Sequence, residues 1–484
     1  MVLTPQTSQK QPPRPFYIEL SQDSPPFFTC GNTVRGLVRV EPTLRPQSIA
    51  VVFRGYYDIY DNSARGASTP NLFHYKAHLF QSSGAHENFD ILRRGTANDG
   101  KVELPFEFTF PQYVSMAPPL DRPWRYSQDS SDHPRFQHAP GFPLPPSCPA
   151  TFVNKGPLSP KVTYSLEAHC ECVNNDSPKI TVRHELKFLP PAPEYDLALL
   201  QPNVRIGTNL PKHCSKYKLI RTRKLFPGYE GSSKLGKVKD MLVEKELFFG
   251  LSTFSEVPYA KFSLTAAPAR IMVADAPIPI AISVEHLERS PSLIDPPEVF
   301  MRRMRVQLLP AIHVFTFRER NKENVDIIRD AWTLFDKKFD DGNGEPLYDG
   351  LTLSHLGGGN LTHEKLLPSF TSYGLSLEYE IKVEIWGECA KSEFSGLAAK
   401  SEVQVVSSWN AVLPQELSGE SGISIPELDS GPAYQEVDPL ATLQGLGATE
   451  LRHQLNTGVP AYEYHDPPQL PVQASRPLPP RYMG

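Results

Sequence analysis

The sequence predicts an all-β protein: two β-sandwiches in tandem, followed by a long disordered arm. Three observations carry that expectation. Several segments alternate apolar and polar residues with period two, the mark of antiparallel strands with one covered face. Prolines number 50 in 484 residues, about twice the usual share, and many fall between those segments as punctuation. The composition also changes sharply after Ser408.

Residues 1–14 are polar and proline-bearing and read as a disordered N-terminus. The first sandwich is expected over 15–190. Its strands are read at Phe16 to Leu20, Thr33 to Val40, Ile49 to Tyr57 and Val102 to Phe110. A proline-rich stretch from Pro118 to Pro149 reads as an extended insertion loop. In Lys161 to Cys172, Val162, Tyr164, Leu166, Ala168, Cys170 and Cys172 share one face, and Lys161, Thr163, Ser165, Glu167, His169 and Glu171 share the other. Lys179 to Phe188 alternates in the same way. Pro190-Pro191-Ala192-Pro193 then interrupts the chain and marks a domain junction.

The second sandwich is expected over 194–408. Strands are read at Ala260 to Thr265, Ile278 to Glu285, Met304 to Leu309, Ile312 to Phe317, Tyr379 to Cys389 and Glu402 to Val406. Asn324 to Phe339 is ambiguous. Ile328, Ala331, Trp332, Phe335 and Phe339 fit the stripe of a short amphipathic helix, and they also fit a strand interrupted by an insertion. Residues 411–484 hold no lysine, nine acidic residues against three arginines, and eleven prolines. Such a segment cannot bury enough apolar surface to offset its chain entropy, so it is read as disordered.

Composition also narrows the function. The net charge of −5 gives no sign of nucleic-acid binding. Met1 to Pro15 lacks the apolar stretch of a secretory signal, and no run of about eighteen apolar residues occurs. Six scattered cysteines do not form a disulfide framework, and the pair Cys170 and Cys172 has no second pair to complete a metal site. A cytoplasmic protein without metal or cofactor is expected. Gly357-Gly358-Gly359-Asn360 lacks the Lys-Ser/Thr of a phosphate loop, His363-Glu364 lacks the second histidine of a zinc-protease helix, and no G-x-S-x-G elbow occurs. Catalysis is therefore not expected. A basic cluster containing Lys216, Lys218, Arg221 and Arg223 has two readings: a contact for anionic lipid headgroups or a phosphorylated tail, or a solvated edge strand that uses its charges against aggregation.

The order of several motifs resembles arrestin-like domains. Gly31 precedes Val34-Arg35-Gly36-Leu37-Val38, similar to that family's "V-x-G-x-V" strand, and Ile49 to Gly55 resembles the strand that follows. Leu104-Pro105-Phe106-Glu107-Phe108-Thr109-Phe110-Pro111 looks like its "FPFxFxxP" strand. Leu144-Pro145-Pro146-Ser147 followed by Val162 to Ala168 resembles its "LPPSF … VxYxLxA" pair, with Cys148 in place of the phenylalanine. Leu367-Pro368-Ser369-Phe370 before Tyr379 to Val383 is similar in the second half. The resemblance covers roughly residues 15 to 408. It implies two arrestin-like sandwiches and the role of the α-arrestins. These are adaptors that bring a WW-domain HECT ubiquitin ligase to membrane transporter or receptor cargo for endocytosis and sorting, at the plasma membrane or endosomes. An interaction scaffold or sorting subunit that does not use ubiquitin is the alternative.

The tail carries the chemistry that this role needs. Pro479-Pro480-Arg481-Tyr482 matches the PPxY motif. In a polyproline II segment with three residues per turn, Pro479 and Tyr482 fall on one side and can enter an aromatic-lined WW groove together. Val459-Pro460-Ala461-Tyr462 is a degenerate relative and a candidate second WW ligand.

Overall fold

A computed structural model describes residues 15–61, 66–68, 70–82, 100–117, 135–149, 158–172, 179–202, 217–226, 257–315, 325–339 and 344–413. The two tail motifs and Lys216 lie outside them, as does the N-terminus to residue 14. Among the described residues every regular element is a strand or a short 3-10 turn, and the chain is all-β.

Eight strands precede Pro190. They are β1 (Phe16–Leu20), β2 (Thr33–Val40), β3 (Pro46–Asp61), β4 (Gly66–Ser68), β5 (Asn71–Gln81), β6 (Val102–Thr109), β7 (Leu158–Cys172) and β8 (Ile180–Leu186). One sheet has the order β1-β2-β6 and the other β4-β3-β7-β8, with β5 also paired to β3. The apolar faces of β3, β6 and β7 meet in an aromatic cluster: Phe53 lies 4.8 Å from both Phe73 and Phe110, and Phe188 lies 5.0 Å from Phe110 and 4.8 Å from Tyr164. Gly55 is required by this packing, because a Cβ there would stand 2.7 Å from the rings of Phe73 and Tyr164. Gly36 is required by a different contact, since its Cβ would meet the Glu19 carbonyl at 2.5 Å.

One face of β7 departs from the alternation. Thr163, Ser165 and Glu167 are buried rather than wet. Beside them on the sheet, Arg54 donates to Glu167 from Nε and Nη2 at 3.2 and 2.7 Å. The guanidinium carbons of Arg54 and Arg183 stand 4.5 and 5.2 Å from the centroid of the Tyr56 ring. Flat guanidinium and phenol groups stacked in this way exclude water, while Arg54 and the Ser165 hydroxyl supply hydrogen bonds to Glu167.

Twelve strands follow the junction. They are β9 (Lys218–Arg221), β10 (Tyr259–Pro268), β11 (Ile271–Val273), β12 (Ile280–Arg289), β13 (Val299–Phe315), β14 (Val325–Arg329), β15 (Trp332–Lys338), β16 (Glu345–Pro346), β17 (Leu351–Thr352), β18 (Phe370–Thr371), β19 (Leu375–Cys389) and β20 (Ser392–Val406). A sheet of order β17-β12-β10-β9 faces one of order β11-β20-β19-β13-β14, with Phe262 of the first 5.3 Å from Phe394 of the second. The 17-residue β13 is the spine of the larger sheet. It pairs with β19 along one side, and with β16, β15 and β14 in succession along the other.

That arrangement resolves Asn324 to Phe339 as strand. Pro310 sits within β13 and has no N–H to give, so the ladder is interrupted opposite it at Asp330-Ala331, where the Asp330 N–H donates to the Pro310 carbonyl at 3.2 Å; the register runs on unshifted from Arg329 to Trp332, and the bulge falls at Leu334. The two strands read at Met304 to Leu309 and Ile312 to Phe317 are a single strand as far as Phe315; residues 316 and 317 lie outside the described set.

Among the described residues no strand pair joins the two sides of Pro190–Pro193. The hydrophobic core nevertheless runs through both halves as one cluster.

Candidate functional site

The described chain ends where the arm begins, and that root is held firmly. After β20 the chain turns at Asn410, whose φ is 58°. Ala192 donates its N–H to the Trp409 carbonyl at 3.0 Å, and the Tyr195 hydroxyl donates to the Val412 carbonyl at 3.1 Å. Ala411 and Leu413 pack on a small separate core of Leu200, Ile271, Val273, Ala276 and Val406. The segment joining the two halves thus also clips the root of the arm.

The basic cluster falls on an edge. β9 is the last strand of its sheet, paired only with β10 among the described residues. Lys218 shares the face of buried Phe262, and its Nζ donates to the Ser395 carbonyl of the facing sheet at 2.6 Å, closing the sandwich edge. Arg221 lies on the opposite, outer face over the Tyr259 ring, 5.7 Å from its centroid. Arg223 and exposed Lys224 sit on the 3-10 turn that follows. Two residues that the sequence reading did not single out join this rim. Tyr259 and Ser290 exchange hydrogen bonds, N–H to hydroxyl at 2.8 Å and N–H to carbonyl at 2.9 Å. They tie the end of β12, with exposed Arg289, and the loop after it to the start of β10, whose other side carries β9. On that loop Ile294 is 87% exposed. A lone isoleucine in a proline-rich turn gives no signal in sequence.

The seam between the halves holds two concave surfaces. One cleft of about 850 Å³ is lined by Cys30, Tyr113, Pro190 to Pro193, Glu378 and Tyr379 among others. A second, of about 890 Å³, is lined by Phe27, Lys161, Asp275, Lys365 and Trp409 among others. The seam itself is stitched by aromatic hydroxyls. Tyr57 donates to the Tyr373 carbonyl at 2.6 Å, Tyr373 donates to the Met116 carbonyl at 2.9 Å, and the Phe142 ring stands edge-on to Tyr373 at 4.9 Å.

The proline-rich insertion supplies a further contact. Phe136 packs edge-on to Phe315 at 6.4 Å, and Gln137 donates its N–H to the Ser372 carbonyl at 3.1 Å. Arg135 donates to the Glu378 carboxylate, and its Nη1 lies 2.6 Å from His313 Nε2. The hydrogen bond that His313 can give holds the Glu378 carboxyl below its ordinary value; the charge of Arg135 and a hydrogen bond from Ser376 add to this, and burial opposes it.

Five described cysteines are free thiols: Cys30, Cys148, Cys170, Cys172 and Cys389. Cys170 and Cys172 point the same way with Sγ atoms 3.9 Å apart. Burial pushes the Cys148 thiol up to about 12, and burial with the neighbouring Cys172 does the same for Cys170. No group of three or more His, Cys, Asp or Glu side chains among the described residues is placed to hold a metal ion. No helix among them is long and apolar enough to cross a membrane. No protein-family model matches the chain, and no curated protein matches it.

Proposed function

We propose that the chain is an α-arrestin-type adaptor that recruits a WW-domain HECT ubiquitin ligase to membrane transporter or receptor cargo. The observation that carries the reading is Pro479-Pro480-Arg481-Tyr482 near the end of an acidic, proline-rich arm. Behind that arm stands an all-β body whose motifs follow the arrestin order. In this reading the body meets cargo and bilayer, and the arm delivers the ligase.

Membrane contact is assigned to the rim of β9. Arg221, Arg223, Lys224 and Arg289 supply positive charge, and Ile294 supplies an apolar tip that can enter the headgroup region. Lys218 contributes less than its charge suggests, because its ammonium is engaged at the sandwich edge.

The deciding experiment is a pull-down of WW-domain ligases with the full chain and with Tyr482→Ala. Loss of capture on substitution supports the adaptor. Equal capture by both, or capture of SH3 proteins in place of WW proteins, favours a scaffold that does not use ubiquitin.

A further inference from the structure

The second cleft of the seam holds hydrogen-bond donors that the fold leaves unused. Thr163 is 3% exposed and lines this cleft, and its hydroxyl has no hydrogen-bond partner among the described residues. A buried hydroxyl left in that state costs stability. Trp409 lines the cleft too, 43% exposed and edge-on to Phe27 at 5.6 Å. Its backbone N–H is taken by the Ser407 hydroxyl, while its indole Nε1–H has no partner among the described residues. Lys187 and Lys365 line the same cleft, and neither ammonium has an ion-pair partner among the described residues. The acceptors, in contrast, are largely spent. Glu185 accepts from Lys161 at 2.9 Å and from Arg183 at 3.1 Å, and Asp275 accepts from the Ser408 hydroxyl at 3.2 Å. Exposed Glu364 is the one lining carboxylate without a hydrogen bond among the described residues.

A ligand suited to such a lining is rich in acceptors and poor in donors. Proline residues have that character, because each keeps its carbonyl and lacks an N–H. We propose that this cleft binds an extended proline-rich peptide of a partner protein, one that also carries carboxylates. In the polyproline II form the backbone carbonyls make no internal hydrogen bonds and are free to accept from the Thr163 hydroxyl and the Trp409 indole. Prolyl rings lie against the perpendicular rings of Phe27 and Trp409, the kind of aromatic lining that such peptides use. The carboxylates meet Lys187 and Lys365 in charge-assisted hydrogen bonds. The volume of about 890 Å³ falls within the range of ligand pockets, about 300–1,000 Å³. The site belongs to the body and stands whether or not the arm recruits a ligase.

Titration calorimetry on the full chain tests this with the peptide acetyl-Pro-Pro-Glu-Pro-Pro-Glu-Pro-Pro-amide, whose glutamates recur every turn and share one side of the helix. The expected result is saturable binding below about 1 mM, and binding about tenfold weaker or absent for the peptide with alanine at every proline. Thr163→Val should weaken binding about three- to tenfold and leave the unfolding midpoint at or above that of the wild type, because the hydroxyl makes no bond within the fold. Trp409→Phe keeps a ring against Phe27, removes the Nε1–H, and should weaken binding by a similar factor. No saturable binding below about 1 mM, equal binding of the alanine peptide, or unchanged affinity in either variant overturns the proposal. A destabilised Thr163→Val chain overturns it too, since the hydroxyl would then have a partner inside the fold. Binding of dodecanoate with no binding of the peptide makes the cleft a fatty-acid site and overturns it as well.

Discussion

Replacing Tyr57 with phenylalanine tests whether the two halves are bonded through the seam. The hydroxyl is wholly buried and donates at 2.6 Å to the Tyr373 carbonyl, 316 residues further along the chain. The ring stays and fills the same space, so the substitution removes a donor without opening an apolar cavity. Stripping the donor from a buried acceptor costs about 1–3 kcal/mol. With a guanidinium slope of about 5 kcal/mol/M, a 2 kcal/mol loss lowers the unfolding midpoint by about 0.4 M. Denaturation followed by circular dichroism and by tryptophan fluorescence measures it. Because Tyr57 belongs to the first half and Tyr373 to the second, both probes should shift together. A midpoint unchanged within about 0.1 M, or a second transition already present in the wild type, would refute the reasoning.

Four further outcomes are expected. Arg303 grips Asp336 through two hydrogen bonds at 2.7 and 2.6 Å, and this pairing, helped by Arg305, lowers the Asp336 carboxyl to about 2. A lowered carboxylate stabilises the fold above its unfolded value and stops doing so as pH falls through about 2, so Asp336→Asn should destabilise at pH 6 and hardly at pH 2, in parallel urea titrations. Reversing charge at Arg221 and Arg223 should weaken sedimentation with anionic vesicles, and Ile294→Asp should weaken it further; binding that ignores both salt and these changes would remove the rim from the model. Cys148 and Cys170 should react with a maleimide only after denaturation, and resistance that vanishes on adding reductant would instead reveal disulfides. Sixteen residues, Glu463 to Leu478, separate Val459-Pro460-Ala461-Tyr462 from Pro479, a reach of about 20–24 Å in a flexible chain. Tyr462→Ala should therefore weaken binding to a tandem WW pair and leave a single WW domain nearly unaffected, and equal losses on both would exclude bivalency.

Strands with one strictly apolar face were legible because their packing imposes the alternation. β7, β8 and β19 fall where the pattern places them. β5 was not read, since its buried and exposed residues follow Asn71–Gln81 without a regular beat and its register with β3 shifts twice. A proline inside β13 hid one strand as two, and a bulge at Leu334 shifted the phase within β15 into something helix-like. Chemistry was legible where it is linear. The PPxY match at Pro479 to Tyr482 needs only neighbours in sequence, and it lies outside the described residues. Arg135, His313 and Glu378 are 178 and 65 residues apart, and nothing short of the fold brings them together. The burial of Ser165 and Glu167 was hidden for a related reason, because arginines from two other strands make their polar face dry.

The clip at the root of the arm decides where a load would go. On the proposed adaptor role, a ligase and a cargo held by one molecule would pull on it from two ends, one of them the segment that follows Leu413. Traction on Leu413 does not reach the last strand directly, because Tyr195 and Ala192 take it up first through Val412 and Trp409. The strain therefore passes into the crossing between the sandwiches, and β20, held between β19 and β11, is not peeled from its sheet. A pull applied beyond Leu413 would thus load the Pro190–Pro193 crossing, beside the seam that the Tyr57 and Tyr373 hydroxyls close.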